Sequence, residues 1–179
     1  MALPTFDFNT DAGKTIAREL LICYLNTGTS SVPVWSAVGK RVEDSSMEMD
    51  WQTETKKDIL GDTYGTMKKP IVTQAFDPCE LDAGDLAQKK LWTDGVLNQD
   101  AQTMANQDML VVHLYTTDND QTAPESFAER YSACMVEITS LGGEGGGNLG
   151  MPINITFGGT RTLGTASVSN GVVTFTAET

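Results

Sequence analysis

Histidine occurs once in this chain, at His113, and cysteine three times, at Cys23, Cys79 and Cys134. So few metal ligands, so widely spaced, leave no His/Cys cluster with zinc spacing. His113 sits inside an apolar, β-branched run, where a lone histidine is more often a packed or interface residue than a ligand. The odd number of distant cysteines does not form a disulfide framework and fits small hydrophobes in a reduced compartment. There is no G-x-S-x-G nucleophile elbow. The Gly-rich stretches "GGEGGGNLG" and "GDTYGTMKK" both fail the phosphate-loop template, and the first reads as a flexible turn. An EF-hand pattern is missing too. No enzyme and no cofactor is expected.

Long hydrophobic runs are equally scarce. The longest, "LLICYL", has six residues, far short of a membrane span. "MALPTFDFNTDAGK" has no basic segment followed by an apolar one, so synthesis in the cytosol without an export signal is expected. Basic residues are outnumbered, 12 against 24 acidic, for a net charge of −12. Nucleic-acid binding by phosphate neutralisation needs basic patches, and this balance repels a polyanion. The same balance also serves solubility alone.

What is abundant is turn and strand material: 17 Gly, six Pro and many Ser and Thr among 179 residues, a length that suits one domain with its own core. Residues 1–15 read as an extended arm. Strands are expected at 20–25, at 34–42 with a break at Gly39, at 71–81, 109–117, 127–141, 153–168 and 172–176. Asn170-Gly171 between two β-forming runs signals a tight hairpin. Segments 118–126 and 142–152 read as loops. One helix is expected over 81–99, capped by Asp82, with Ala83, Ala87 and Leu91 on one face, Leu86 at its edge, Lys89 and Lys90 late in the helix, and Gly95 ending it. This pattern implies a mainly β protein, an antiparallel sandwich or barrel with one flanking helix; βαβ alternation is absent.

The stretch "SSMEMDWQTETKK" alternates. Met47, Met49 and Trp51 fall on one face of a strand from about Ser45 to Glu54, and Glu48, Asp50 and Glu54 fall on the other. Between this strand and the next lies a connection over 55–70, too long for an ordinary hairpin loop. Its Ile59, Leu60, Tyr64 and Met67 argue against plain disorder. Eight of the twelve basic residues form four doublets, Lys40-Arg41, Lys56-Lys57, Lys68-Lys69 and Lys89-Lys90, and two of these bracket the long loop. A loop with basic ends and an apolar middle, on an otherwise acidic protein, suits docking on a second copy. Lysines at strand ends also keep an exposed hairpin soluble.

Taken in order, "LLICYLNTGTSSVPVWSAVGKRVEDSSMEMDWQTETKKDILGDTYGT", "KPIVTQAFDPCELDAGDLAQKKL" and "AERYSACMVEITSLGGEGGGNLGMPINITFGGTRTLGTA" resemble the opening strands and long loop, the returning strand and helix, and the closing strands of bacteriophage major tail tube proteins. The resemblance is greatest to those of long-tailed, non-contractile phages. It implies a single tail tube domain over 1–179 and hexameric rings stacked head-to-tail into a hollow tube through which genomic DNA is ejected. The implied location is the virion tail, after assembly in the host cytoplasm, with tape-measure, tail-tip and terminator proteins as partners and no membrane. The implied roles are a lumen-facing acidic set, Glu48, Asp50 and Glu54, which denies DNA the counter-ion release it needs to bind. The inter-ring loop implied over 55–70 would carry Lys56, Lys57, Ile59, Leu60, Tyr64, Met67, Lys68 and Lys69. Two alternatives stay open: the tube protein of a contractile tail or injection machine, and a surface β-sandwich that binds a ligand through its loops.

Overall fold

The computed structural model describes residues 6–118 and 125–178. The first five residues of the expected N-terminal arm and most of the expected 118–126 loop lie outside them. Thirteen strands are present among the described residues: β1 (Phe6–Phe8), β2 (Leu21–Asn26), β3 (Trp35–Val38), β4 (Met47–Asp50), β5 (Glu54–Lys57), β6 (Thr63–Thr66), β7 (Ile71–Phe76), β8 (Gln107–His113), β9 (Thr116–Asp118), β10 (Ser126–Ile138), β11 (Ile153–Phe157), β12 (Arg161–Ser169) and β13 (Val172–Ala177). Every pairing between them is antiparallel. The main sheet runs β3-β2-β8-β10-β11-β7-β4, with β12 and β13 joined to it through β10.

The long strand β10 organises the molecule. Its first half lies between β8 and β12, and its second half pairs with β11. The register against β8 shifts between Tyr131 and Cys134. A bulge of this kind bends a strand and raises its twist, so the sheet curls over itself into a half-barrel. The hollow is filled by Leu25, Met109, Val111, Cys134, Ile153 and Ile155, with Leu91 from the helix closing one side. A second, smaller cluster, Tyr24, Leu110, Val112, Ala128, Ala166 and Val173, lies on the opposite face of β2, β8, β10 and β12. The alternation is period two: Met109 and Val111 belong to one cluster, Leu110 and Val112 to the other. A strand buried on both faces reads as a continuous apolar run, as "MLVV" does. All three cysteines are buried free thiols.

The expected helix differs in its ends. It is α1 (Leu86–Leu91), continued by a π-helical turn over Trp92–Leu97, and a short α2 follows (Ala101–Met104). The cap is Asp85, not Asp82: Asp85 Oδ1 accepts the Gln88 amide at 3.0 Å. Asp82 is otherwise engaged, accepting the Gly84 amide at 2.8 Å and pairing with Lys40 at 3.0 Å and Arg41 at 3.3 Å. Gln88 reaches back to accept the Asp82 amide at 2.7 Å, which ties the chain before the helix to its first turn. Ala87 and Leu91 are buried as expected, but Ala83 lies before the helix and is exposed. Gly95 does not end the helix. A Cβ there would come within 2.6 Å of Ile138 Cδ1, so its role is close approach of the helix to β10.

Asn170 and Gly171, at φ 50° and 78°, form the two-residue turn that joins β12 to β13, as expected of a primed turn. The Gly-rich loop, expected as a flexible turn, is pinned. Gly142 and Gly150 exchange backbone hydrogen bonds at 2.7 and 3.1 Å, and Asn148 donates to Glu80 at 2.9 Å.

Candidate assembly surface

The strand expected over Ser45–Glu54 is interrupted. β4 ends at Asp50, Gln52 takes a positive φ of 46°, and a new strand begins at Glu54. β4 pairs with β7, whereas β5 pairs only with β6 in a separate two-stranded sheet. The two ladders are linked by the Lys68 amide, which donates to the Trp51 carbonyl at 3.1 Å. The segment expected as a loop over 55–70 is therefore the distal half of one long, bent β-hairpin. Thr55, Thr63, Tyr64 and Thr66 pair in its ladder, while Ile59 and Leu60 sit in the turn and Met67 beyond it.

Every side chain from 51 to 69 is exposed. The end of the arm is a tight turn: Asp58 Oδ1 accepts the amides of Leu60 and Asp62 at 2.8 and 2.9 Å, and the Asp58 amide donates to the Asp62 carbonyl at 2.9 Å. This fixed turn presents Ile59, fully exposed at 102%, and Leu60, at 83%. Tyr64 and Met67 are exposed along the arm, at 52% and 65%. Tyr64 lies opposite Lys56, and Lys56 pairs with Glu54 at 3.4 Å. Lys57, Lys68 and Lys69 make no ion pair among the described residues. An isolated two-stranded hairpin is marginal in water, and this one spends apolar side chains on solvent.

The three acidic residues expected on one face do not stay together. Glu48 and Asp50 point away from the core on β4, paired with Thr73 and Ile71 of β7, and both are exposed. Met47, between them and the preceding loop, packs on the core. Met49 and Trp51 do not face the core as expected; they are 53% and 46% exposed, because β4 is the last strand of its sheet and the chain bends away at Gln52. Glu54 lies beyond that bend, in the arm.

The outward face of β10, β11, β7 and β4 carries further carboxylates that the alternation of "MEMD" alone does not reveal. Glu137 of β10 pairs with Asn154 of β11, which pairs with Ala75 of β7. Asp44 and Asp77 oppose each other in an isolated bridge at the end of the hairpin away from the arm. Asp44, Glu48, Asp77 and Glu137 border a cleft of about 560 Å³ whose lining contains no Lys or Arg. The period-two pattern of "MVEI" marks Glu137 as outward, but its strand partner depends on register with residues far along the chain.

A buried polar knot was also invisible in the sequence. Glu129, 5% exposed, accepts from Arg161 Nε at 2.5 Å and from the Tyr131 hydroxyl at 3.0 Å, and bonds His113 Nε2 at 3.0 Å. His113 Nδ1 bonds the Tyr115 hydroxyl at 2.6 Å. Burial pushes the Glu129 carboxyl up, but the hydrogen bonds and charges of His113 and Arg161 together hold it below its ordinary value. Phe127 stacks on both His113 and Phe6, and Phe8 on Tyr115, so the knot anchors β1. These groups are saturated by one another and read as structural.

No protein-family model and no curated protein matches the sequence. The structure does match solved ones. A chain of the sheath–tube complex of an extracellular contractile injection system, PVC, in its extended state, superposes with a TM-score of 0.51 at 8% identity, over 86% of this chain and 94% of that one. A chain of the sheath/tube terminator of the same kind of system gives 0.53 at 8% identity, over 86% and 99%. At such low identity the likeness is one of fold: this curled antiparallel half-barrel with its flanking helix is shared, across nearly their whole length, with component chains of a contractile injection machine.

Proposed function

We propose that the protein is the structural building block of a tail tube, closing into rings, hexameric by resemblance, that stack head-to-tail into a hollow conduit. The observation that carries this is the β5–β6 arm, an ordered hairpin whose side chains are all exposed and whose rigid tip displays Ile59 and Leu60. A folded monomer gains nothing from such an arm; a neighbouring copy that covers it does. Contact between unlike surfaces of identical copies propagates as an open stack.

The shared fold with chains of a contractile injection system supports a tube of a contractile tail or injection machine more than the non-contractile tube suggested by the sequence resemblance. In this reading Ile59, Leu60, Tyr64, Met67 and the lysines Lys56, Lys57, Lys68 and Lys69 meet the adjacent ring. Glu48 and Asp50 face the lumen, where they repel passing DNA at close range; salt screens that repulsion beyond ~8–10 Å. Glu54 belongs to the arm contact instead. Tape-measure, tail-tip and terminator proteins are the expected partners. A ring-forming terminator is the second reading, favoured by the likeness to a sheath/tube terminator chain.

Negative-stain electron microscopy of the purified protein over a range of concentration and salt tests this. Hollow tubes support the tube reading. Single rings that never stack support the terminator. Monomers at every concentration, even with tail-tip components added, overturn both.

A further inference from the structure

The curled sheet does not close on itself. β3 and β4 stand at the two ends of its path. A cavity of about 660 Å³ lies between residues of β2 and β3 on one side and of β7 on the other. The buried Cys23 and Phe76 and the half-buried Val38 and Val42 line it, and all four belong to or pack on the main core. One guanidinium spans the gap: Arg18 donates to the Ser45 carbonyl at 2.6 and 3.0 Å and to the Leu21 carbonyl at 2.7 Å. Cavities of ~300–1,000 Å³ lined by apolar groups are of the size that accepts an inserted ligand.

A second observation concerns Gln74, which lines this cavity. It points to the core side of β7, in register with Met47 and Ile155 and on the same face as Phe76. It is 3% exposed, and its Oε1 is buried with no hydrogen-bond donor. Its orientation is forced. The Ser45 hydroxyl spends its proton on the Ala75 carbonyl at 2.6 Å, so it accepts, and Gln74 offers it Nε2 at 3.0 Å. The carbonyl end is left unmet, a costly state for a buried acceptor. The cavity therefore suits an apolar group that also brings an N–H donor.

We propose that this cavity receives the turn over residues 58–62 from the arm of a second copy. The inference rests on the tube reading and adds the receiving surface. Ile59 and Leu60 are the apolar group, rigidly displayed and in water in the monomer. The Ile59 amide makes no hydrogen bond among the described residues and is the donor. Charges of both signs surround each surface. Arg18, Glu19 and Glu43 border the cavity, Lys57, Asp58 and Asp62 flank the tip, and none of the six has an ion-pair partner among the described residues. Docking pairs Arg18 with Asp58 or Asp62, and Lys57 with Glu19 or Glu43. Ser45 and Gln74 place the cavity at the base of the β4–β7 ribbon, whereas the turn is at its far end. The contact joins unlike surfaces, so copies run head-to-tail.

Filling the cavity tests this. Val38→Trp and, separately, Val42→Trp put an indole into it, and far-UV circular dichroism and urea denaturation check that each variant folds. A folded variant should elongate only at about a hundredfold higher concentration, the effect of leaving two large aliphatic side chains in water. A second measurement needs no variant. Zero-length carbodiimide coupling of wild-type polymer, with peptide mapping, should join Lys57 of one copy to Glu19 or Glu43 of the next. A folded, filled variant that elongates like wild type, or wild-type polymer in which Lys57 couples to neither acid, overturns the cavity as the receiver while leaving the tube reading intact. A wild-type protein that never self-associates, even with tail-tip components added, sinks both.

Discussion

Replacing Ile59 and Leu60 by serine separates folding from assembly more cleanly than any other change to this molecule. Both side chains are already in water in the folded monomer, at 102% and 83% exposure. Unfolding does not alter their hydration, so the double variant should match wild-type stability within ~0.5 kcal/mol, the usual range for surface positions. If the proposed stack covers the tip, the same side chains leave water, which is worth ~1.5–3 kcal/mol each for a large aliphatic residue. Taking a combined loss of only ~3 kcal/mol, at ~1.4 kcal/mol per decade, the critical concentration for elongation should rise about a hundredfold. Urea denaturation gives the first quantity, and pelleting of polymer over a dilution series gives the second. An unchanged critical concentration would show that the tip does not dock. A stability loss of several kcal/mol would show that the tip packs on its own subunit, contrary to its exposure.

Other perturbations probe the remaining parts. Asp85→Ala removes the helix cap and should cost ~0.5–2 kcal/mol by urea denaturation, whereas Asp82→Ala leaves the cap bond intact and should cost less. Leu91→Ala opens the core beneath the helix, where Leu91 is 2% exposed, and should cost ~2–5 kcal/mol. Because the Glu129 carboxyl is held below its ordinary value, its stabilisation is full above the ordinary carboxylate range and fades as pH falls through its lowered value. The melting-temperature gap between wild type and Glu129→Gln should therefore shrink on acidification; a gap constant with pH would remove the carboxylate from the account. Charge reversal of Glu48 and Asp50 to lysine should preserve the fold and slow DNA passage through assembled tails, read by ejection kinetics.

Where local chemistry decides, the sequence was legible. Asn170-Gly171 specifies its turn because few residues tolerate two consecutive positive φ angles, and "MLVV" announces a strand buried on both faces. Errors arose where a distant partner intervenes. Asp82 and Asp85 are equally good caps in isolation; Lys40 and Arg41, folded back from over forty positions earlier, take Asp82 away. The alternation of "MEMDWQTE" runs unbroken through Trp51, yet the chain bends at Gln52, which nothing in the periodicity marks. Met49 is apolar for a face that the edge position of β4 leaves half open. Glu137, Asp44 and Asp77 join Glu48 only through the registers of β10, β11 and β7, which no local pattern encodes. Glu129, His113, Tyr131 and Arg161 likewise meet across three strands.

The arm joins β4 through residues 51–53 and β7 through residues 67–70, two short links held together by one hydrogen bond from Lys68 to Trp51, and β7 is stitched through β11 into β10. Antiparallel hydrogen bonds lie perpendicular to the strands. A pull on the tip along the ribbon therefore loads those bonds together, in shear, instead of opening them one after another from an end. The hairpin is built as a tension member, and the force it collects is delivered to β10, the strand that belongs to both halves of the sheet.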